Sequence, residues 1–269
     1  MIHYKTQEEI ELIRESCLIV SKTLALVGSL LKPGISGVDI DRKAEEFIRD
    51  QNAVPGFKGY RDFPATLCIS PNEGVVHGIP VSKEFVDGDI VSVDCGALLN
   101  NYYGDSAFTF AIGEVSKDVL DLLEVTNTSL YKAIDVSRKG SRLGDIGYAI
   151  QSYAEGEHGY GVVRELIGHG IGKNLHEKPD VPNYGNRGKG QMLKEGLVIA
   201  IEPMINLGSK EIMQSSDGWT IISKDRKPSA HYEHTIAITK NGPDILSNHT
   251  FIADAIKNNV NINDISIKN

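Results

Sequence analysis

Long hydrophobic runs are missing from this sequence of 269 residues. No stretch approaches the ~18 consecutive apolar residues that a membrane span requires, and the N-terminal MIHYKTQEEI lacks the apolar core of a secretory signal. Cysteine is scarce as well. The three cysteines, Cys17, Cys68 and Cys95, are odd in number and far apart, which favours reduced thiols over a disulfide framework or a cysteine zinc site. We therefore expect a cytoplasmic protein with no membrane segment.

Positive charge is also in deficit, since the formal net charge is -8. A chain with this balance offers no broad electrostatic surface for nucleic acid, so no specific nucleic-acid partner is expected. Hydrophobic residues make up 41% and charged residues 24%, as in ordinary soluble globular proteins. No Pro/Ser-rich linker interrupts the chain. We predict one compact α+β domain over residues 1–269.

An amphipathic helix is predicted directly after Thr6. Thr6 and Glu9 have the spacing of a capping box, and Pro33 and Gly34 end the pattern. Its apolar residues recur at spacings of three and four and therefore share one face: Ile10, Ile13, Cys17, Val20, Leu24, Val27 and Leu31. Within this stripe we interpret Cys17 as a packing residue.

Two short segments recur later in the chain. KPGISGVDI (32–40) is similar to RKGSRLGDI (138–146) at an offset of 106, and GDIVSVD (88–94) is similar to GLVIAIE (196–202) at an offset of 108. Nearly equal offsets indicate an internal duplication, although short apolar runs can also be alike by chance. We predict halves at about 1–112 and 113–250 and a tail at 251–269, which is either a loosely attached end or a docked strand.

Asp94 and Asp105 flank a predicted β-hairpin with a turn around Asn100 and Asn101. Side chains alternate along a strand, and across an even-numbered loop the odd sum of 94 and 105 places both carboxylates on one face. Two adjacent carboxylates repel each other, and bound cations would offset that repulsion. The alternative is a pair of solvated aspartates. Asp94 follows the apolar run IVSV, which is a poor place for an idle charge.

Three more candidate ligands follow. His169 stands between two glycines, with His176 seven residues on; Glu202 ends the apolar run LVIAI; and Glu233 precedes another strand-like run. Each could alone be a structural histidine or a salt-bridged glutamate. As a set with the two aspartates they suit Mn²⁺, Fe²⁺, Co²⁺ or Zn²⁺. Four carboxylates exceed the need of one such cation, so we predict a two-metal site.

Several motifs resemble those of the bacterial, type I methionine aminopeptidases. The matching stretches are CISPNEGVVHGIP, the two aspartates eleven residues apart, GHGIGKNLHEKP, AIEPM, DGWTIISKDRKPSAHYEHT and TKNG. The resemblance runs from about residue 3 to 247. It implies the pita-bread fold that prolidases and aminopeptidase P share, with two pseudo-twofold-related halves, antiparallel sheet around a dinuclear metal cleft and helices outside. The implied activity removes the N-terminal methionine of nascent proteins whose second residue is small.

The resemblance also implies roles. Asp105 and Glu233 would bridge the two cations (Co, Mn, Fe or Zn), His169 and Glu202 would complete one of them, and Asp94 would bind the other. A bridging hydroxide would attack the scissile carbonyl while Glu202 moves its proton. His176 would stabilise the developing oxyanion, and His77 would contact the scissile amide.

The implied methionine pocket combines aromatic side chains with a thiol, which suits a thioether: Tyr60, Phe63, Cys68, His77, Leu175, His176 and Trp219. Four positions depart from the common pattern of the family. Gly96 stands where relatives often carry Thr, His231 replaces a frequent Gln, Leu175 replaces a frequent Phe, and Leu166 replaces an aromatic residue or Met. A hydrogen bond at Gly96 is therefore expected to be missing or supplied by water.

Two rival interpretations remain within the same fold. One is an Xaa-Pro aminopeptidase or dipeptidase, and the other is a non-catalytic binding module that has kept only the fold. The CIS and HGIP stretches favour the methionine class, and the five retained ligands speak against a module without chemistry. The family leads us to expect a monomer, and it is compatible with a ribosome contact.

Overall fold

The computed structural model describes residues 2–263. Within them the α-helices are α1 Gln7–Leu30, α2 Gly37–Asp50, α3 Lys117–Val136, α4 Leu143–Gln151 and α5 Thr250–Ile256. A 3₁₀ helix spans Tyr60–Asp62, and a π-helical turn at Ser152–Glu157 extends α4. Across this part of the chain, no helix is both long and apolar enough to cross a membrane.

Helix α1 begins as the sequence predicts. The Thr6 hydroxyl accepts from the Glu9 N–H at 3.3 Å, and the Glu9 carboxylate accepts from the Thr6 N–H at 2.9 Å, which forms the predicted capping box. The predicted stripe is buried, including Cys17. Helix α1 packs on the two strands at Ile90–Leu99 and Tyr102–Ala111. The packing role predicted for Cys17 is thus confirmed.

In the part of the chain that the structure describes, the strands form four sheets. The strands are, in chain order, β1 Val54–Pro55, β2 Leu67–Pro71, β3 Gly74–Val76, β4 Ile90–Leu99, β5 Tyr102–Ala111, β6 Gly161–Val162, β7 Gly168–Gly170, β8 Glu177–Val181, β9 Val198–Ile201, β10 Met204–Asn206, β11 Ile212–Gln214, β12 Ile221–Ser223, β13 Ser229–His231, β14 His234–Thr239 and β15 Gly242–Ile245. In one sheet β4 pairs with β5, β2 and β1, and in another the order is β15-β14-β9-β7-β8. The two smaller sheets have the orders β13-β10-β6 and β11-β12-β3. All of these pairings are antiparallel.

The β4–β5 hairpin has the predicted register. Asn100 and Asn101 form its two-residue turn with φ of 50° and 64°, the left-handed conformation that suits a tight hairpin. Asp94 lies opposite Ala107 and Asp105 lies opposite Gly96. Both carboxylates therefore lie on one face, two positions apart, and the prediction from side-chain alternation is confirmed.

The segments 32–40 and 138–146 also adopt similar backbone conformations. Gly34 has φ 88° and donates its N–H to the Phe85 carbonyl at 2.9 Å. Gly140 has φ 98° and donates its N–H to the Leu193 carbonyl at 2.9 Å. The two donors are 106 positions apart in the chain, and the two acceptors are 108 positions apart. In each case the segment leads into a helix, α2 or α4. These correspondences support the duplication, and the boundaries at 1–112 and 113–250 stay a proposal.

The tail is docked as far as residue 263. Helix α5 packs against α1, and Ile262 forms an antiparallel bridge with Ile112 at the end of β5. The Asn259 amide donates to the carbonyls of Gly28 and Leu31 at 2.8 and 2.7 Å and so satisfies carbonyls at the C-terminal end of α1. The described part of the tail is thus docked by a helix and an isolated bridge and not as the strand we predicted as one alternative, and residues 264–269 lie outside the described part.

Candidate active site

The five predicted metal ligands face one cavity at the centre of the fold. They lie on strands or directly beside them: Asp94 on β4, Asp105 on β5, His169 on β7, Glu202 after β9 and Glu233 between β13 and β14. Donor atoms of Asp105, His169 and Glu233 all lie within 4.8 Å of one another. Nε2 of His169 is 3.7 Å from Oδ2 of Asp105 and 3.5 Å from Oε1 of Glu202.

Glycines allow His169 to enter this cluster. A Cβ on Gly168 would lie 2.3 Å from the Ala200 carbonyl oxygen, and one on Gly170 would lie 2.5 Å from the Lys178 carbonyl oxygen. Nδ1 of His169 is 2.9 Å from the Gly170 carbonyl oxygen. A carbonyl can only accept, so Nδ1 carries the proton and Nε2 presents its lone pair to the carboxylates. That is the tautomer a metal ligand requires.

Electrostatics show why the cluster suits cations. Burial raises the pKa of Asp94 to about 7. It also raises the pKa of Asp105, Glu202 and Glu233 well above the ordinary range, and repulsion from neighbouring carboxylates adds to this. Oδ1 of Asp94, Oδ1 of Asp105 and Oε1 of Glu233 are buried without a hydrogen-bond partner. Unpartnered oxygens in a carboxylate cluster, facing an imidazole lone pair, fit divalent cations.

The cavity that the carboxylates line has a volume of about 120 Å³ and extends between apolar side chains. All seven predicted pocket residues line it, namely Tyr60, Phe63, Cys68, His77, Leu175, His176 and Trp219. Trp219 meets Phe63 edge-on with ring centroids 5.2 Å apart and His77 at 6.4 Å. Three lining residues were not predicted from the sequence: Phe57, Arg61 and Val76.

The two auxiliary histidines are placed by local backbone structure and by a neighbouring side chain. His77 has φ 58°, a conformation that non-glycine residues rarely adopt, directly after β3. It precedes Gly78, where a Cβ would lie 2.1 Å from the Ile69 carbonyl oxygen. His176 precedes β8, its ring centroid lies 4.2 Å from that of His169, and its Nδ1 is 2.9 Å from the Tyr60 hydroxyl. Both rings face the cavity that the metal ligands line.

Comparison with known proteins identifies this arrangement. A family model described as metallopeptidase family M24 matches residues 11–240. The chain belongs to metallopeptidase family M24. It is 50% identical over 248 residues to the methionine aminopeptidase of Clostridium acetobutylicum, an alignment that covers 92% of this chain and 99% of that relative.

Solved structures agree with the assignment to M24. The crystal structure of methionine aminopeptidase from Rickettsia prowazekii matches with a TM-score of 0.90 at 40% identity, covering 92% of this chain and 100% of that one. The Xaa-Pro dipeptidase from Bacillus anthracis matches with a TM-score of 0.72 at 21% identity, and the alignment covers 91% of this chain and 62% of that one. That second likeness shows the fold alone.

Four predictions are confirmed by these findings: the resemblance to methionine aminopeptidases, the pita-bread α+β fold, the enzyme class of a metal-dependent aminopeptidase, and the use of divalent metal. The Xaa-Pro alternative is not favoured, because the relatives with 40–50% identity are methionine aminopeptidases. The roles of individual residues in this M24 chain stay predictions.

Gly96, one of the departures from the M24 pattern, has a structural explanation. A Cβ at Gly96 would lie 2.5 Å from Cε1 of Phe57, so the Phe57 ring occupies the space in which a side chain at position 96 would lie. Phe57 is buried and lines the pocket. From the sequence we expected a hydrogen bond at Gly96 to be missing or supplied by water. In the structure the Phe57 ring fills this space.

The other departures lie close to the cavity. Leu175 is buried and lines the pocket. Nε2 of His231, a buried residue, is 3.7 Å from Oε2 of Glu202. Leu166 packs against the apolar cluster that includes Val76, which itself lines the pocket. Two of the departures therefore line or support the pocket wall, and His231 contacts a predicted ligand.

Proposed function

We propose that this chain removes the N-terminal methionine from nascent polypeptides whose second residue is small, with the help of two divalent cations. One observation carries the proposal above all: a cluster of four carboxylates and an imidazole opens directly onto a small apolar pocket lined by a thiol and aromatic rings. The relatives with up to 50% identity carry the name methionine aminopeptidase.

Asp94, Asp105, His169, Glu202 and Glu233 would hold the cations. Donor atoms of Asp105 and Glu233 lie within 4.8 Å of each other and both residues are buried, so these two carboxylates would be the ligands that both cations share. His169 and Glu202 approach each other from one side at 3.5 Å and would complete one coordination sphere, and Asp94 would serve the other. When bound, two such cations supply a hydroxide nucleophile at neutral pH and polarise the scissile carbonyl. Co²⁺, Mn²⁺, Fe²⁺ and Zn²⁺ all suit this donor set.

The protein's own groups perform the remaining work. Glu202 would accept a proton from the attacking nucleophile and pass it to the leaving amine. The imidazole of His176 would donate a hydrogen bond to the carbonyl oxygen as negative charge develops there. His77, beside Trp219, would contact the scissile amide. Asp94 lies beside the pocket, where the free α-amine of the substrate would sit.

The chemistry of the pocket suits a methionine side chain. Phe63, Trp219 and the Cys68 thiol would contact the thioether sulfur, which gains from contact with aromatic rings. A peptide whose second residue is small would leave the nearby rings undisturbed.

Peptide cleavage tests the proposal. The metal-loaded protein should cleave Met-Ala-Ser, cleave Met-Leu-Ser poorly, and lose activity after chelation. Protein that ignores Met-Ala-Ser but cleaves Xaa-Pro bonds would support the dipeptidase alternative. Protein that cleaves neither peptide, while holding two equivalents of metal, would support a non-catalytic module.

A substitution tests the proton-transfer role. Glu202→Gln keeps the size of the side chain and removes its charge, and kcat for Met-Ala-Ser should fall by about a hundredfold to ten-thousandfold. Glu157→Gln makes the same chemical change at an exposed residue and should leave kcat unchanged. His77→Ala should lower turnover while metal content stays near normal, and a loss of metal would instead make His77 a ligand.

We further propose that residues 1–269 act as one catalytic domain, as a monomer in the cytoplasm, with or without a ribosome contact. Packing of α5 on α1 and the many contacts between the two halves support a single unit. Sedimentation equilibrium would test the monomer.

A further inference from the structure

A hydrogen bond joins the pocket to the predicted oxyanion donor. The Tyr60 hydroxyl lies 2.9 Å from Nδ1 of His176, although 116 residues separate them. The two rings are 5.2 Å apart at their centroids and tilted by 31°. The Tyr60 hydroxyl therefore contacts Nδ1, and Nε2 is the nitrogen left to contact the substrate in the proposed reaction.

Backbone structure holds Tyr60 in this position. It begins the short 3₁₀ helix and donates its N–H to the Phe57 carbonyl at 2.9 Å. Its own carbonyl accepts from the Phe63 N–H at 2.9 Å. Gly59 before it has φ 84°, and Arg61 after it has φ 47°. Positive φ is common for glycine, but a non-glycine residue such as Arg61 keeps it only when the surrounding structure holds it there.

The direction of the hydrogen bond decides what His176 can do. A neutral imidazole carries one N–H, and the other nitrogen can only accept. If Nδ1 carried the proton, Nε2 would turn a lone pair toward the substrate's carbonyl oxygen and repel it. If Tyr60 donates to Nδ1, the proton is on Nε2, where it can stabilise an oxyanion.

His176 lies beside His169, and 4.2 Å separates the centroids of the two rings. His169 needs the opposite tautomer, and the Gly170 carbonyl at its Nδ1 provides it. The two adjacent imidazoles are therefore set to opposite tasks by the partners of their Nδ1 atoms: one offers a lone pair and the other offers a proton.

We propose that Tyr60 is a positioning residue for this reaction: its hydroxyl donates to Nδ1 of His176, which fixes the proton on Nε2 and orients the ring toward the substrate's carbonyl oxygen. The inference rests on the proposed function. It adds to that function the reason why a tyrosine, rather than a purely apolar aromatic residue, stands at this point of the pocket.

Tyr60→Phe provides the first test, because it keeps the ring and removes only the donor. We expect kcat for Met-Ala-Ser to fall by about tenfold to a hundredfold, less than the loss of a whole oxyanion donor, while KM changes by less than about threefold. Tyr4→Phe, the same change at an exposed tyrosine, should have no effect. A Tyr60→Phe variant with unchanged kcat overturns the proposal, and one that raises only KM shows that Tyr60 merely shapes the pocket.

A double-mutant cycle separates positioning from packing. If Tyr60 acts through His176, adding Tyr60→Phe to His176→Ala should cost nothing further in kcat. An equal loss in both backgrounds would mean that Tyr60 acts independently, and the proposal would fail.

A spectroscopic test does not depend on turnover. ¹⁵N-labelled protein loaded with diamagnetic Zn²⁺ should show His176 with a protonated Nε2 and a bare Nδ1. Tyr60→Phe should shift this pattern toward a mixture of tautomers. A wild-type His176 with its proton on Nδ1 overturns the inference even if Met-Ala-Ser is cleaved. Failure of the wild-type protein to cleave that peptide would instead count against the proposed function and leave the tautomer result readable.

Discussion

The two carboxylate oxygens of Glu202 face different imidazoles, with Oε1 3.5 Å from Nε2 of His169 and Oε2 3.7 Å from Nε2 of His231. His169 presents a lone pair, as its Gly170 contact requires. His231 is buried, and burial lowers its pKa to about 3, so it stays neutral. Its Nε2 has no hydrogen-bond partner within the described residues. We expect this nitrogen to carry a proton and to stabilise the negative charge on Oε2 when Glu202 is ionised.

His231→Leu should therefore weaken metal binding or lower kcat by about tenfold to a hundredfold, as is usual when a group that orients a metal ligand is lost. His231→Gln should retain most of both, because its amide can still donate. Metal affinity by calorimetry and kcat on Met-Ala-Ser provide the measurements. Equal losses in the two variants would show that the imidazole acts through its shape and not through its N–H.

Metal removal should make stability depend on pH in a defined direction. In the metal-free protein, burial raises the pKa of Asp94 to about 7, which is far above the ordinary value of ~3.9 for an aspartate. Below about pH 4 the carboxyl is protonated whether folded or unfolded. As the pH rises past that value, only the unfolded state ionises freely, so stability falls until about pH 7 is passed. The raised pKa values of Asp105, Glu202 and Glu233 act in the same sense.

Thermal unfolding checks this expectation. Chelated protein should have a lower Tm at pH 8 than at pH 6, and added Mn²⁺ should raise Tm more at pH 8, because the cations bind ionised carboxylates. Asp94→Asn should weaken the pH dependence of the chelated form. A Tm that is the same at both pH values, with and without chelator, would contradict the assignment of these four groups as a buried, mutually repelling cluster.

Close packing between Gly96 and Phe57 gives another prediction. A methyl group at position 96 would collide with the Phe57 ring at 2.5 Å. Gly96→Ala should therefore lower the free energy of unfolding by about 1–3 kcal/mol and raise KM for Met-Ala-Ser as the ring shifts. Adding Phe57→Leu should recover part of that stability, because a smaller side chain leaves room. Denaturant unfolding of the two single variants and the double variant would reveal the coupling, and purely additive effects would rule out the collision.

Asn259 provides a prediction about the tail. Its amide donates to two carbonyls at the end of α1. Asn259→Ala should cost about 1–2 kcal/mol in unfolding free energy, because these carbonyls lose their partner, while kcat stays unchanged. Asn258→Ala, whose amide bonds only within α5 and its continuation, is the matched control and should cost less. A loss of activity without a loss of stability would mean that the tail reaches the site in some other way.

Local rules explain what could be predicted from the sequence. Alternation along a strand placed Asp94 and Asp105 on one face because their separation and the two-residue turn are both readable in the chain. The capping box of Thr6 and Glu9 is equally local. His169, Glu202 and Glu233 were candidates from their places between glycines or beside apolar runs, and the resemblance to a family of enzymes supplied the individual roles.

Contacts between distant segments could not be predicted in this way. Phe57, which follows β1, fills the space beside Gly96, and no spacing of residues in the sequence predicts that contact. The hydrogen bond between Tyr60 and His176 depends on a 3₁₀ turn with residues in left-handed conformations. The docking of the tail depends on the amide of Asn259, which stands in a run rich in asparagine where each residue has the same local chemistry.

The position of Asn259 also bears on how the protein is made. The side chain that satisfies the last carbonyls of α1 lies more than 220 residues after them in the chain. Lys5 also has a partner far along the chain, because it forms an ion pair with Glu177 at 2.7 Å. The C-terminal end of α1 therefore reaches its final contacts only after the whole region that matches family M24, residues 11–240, has been synthesised.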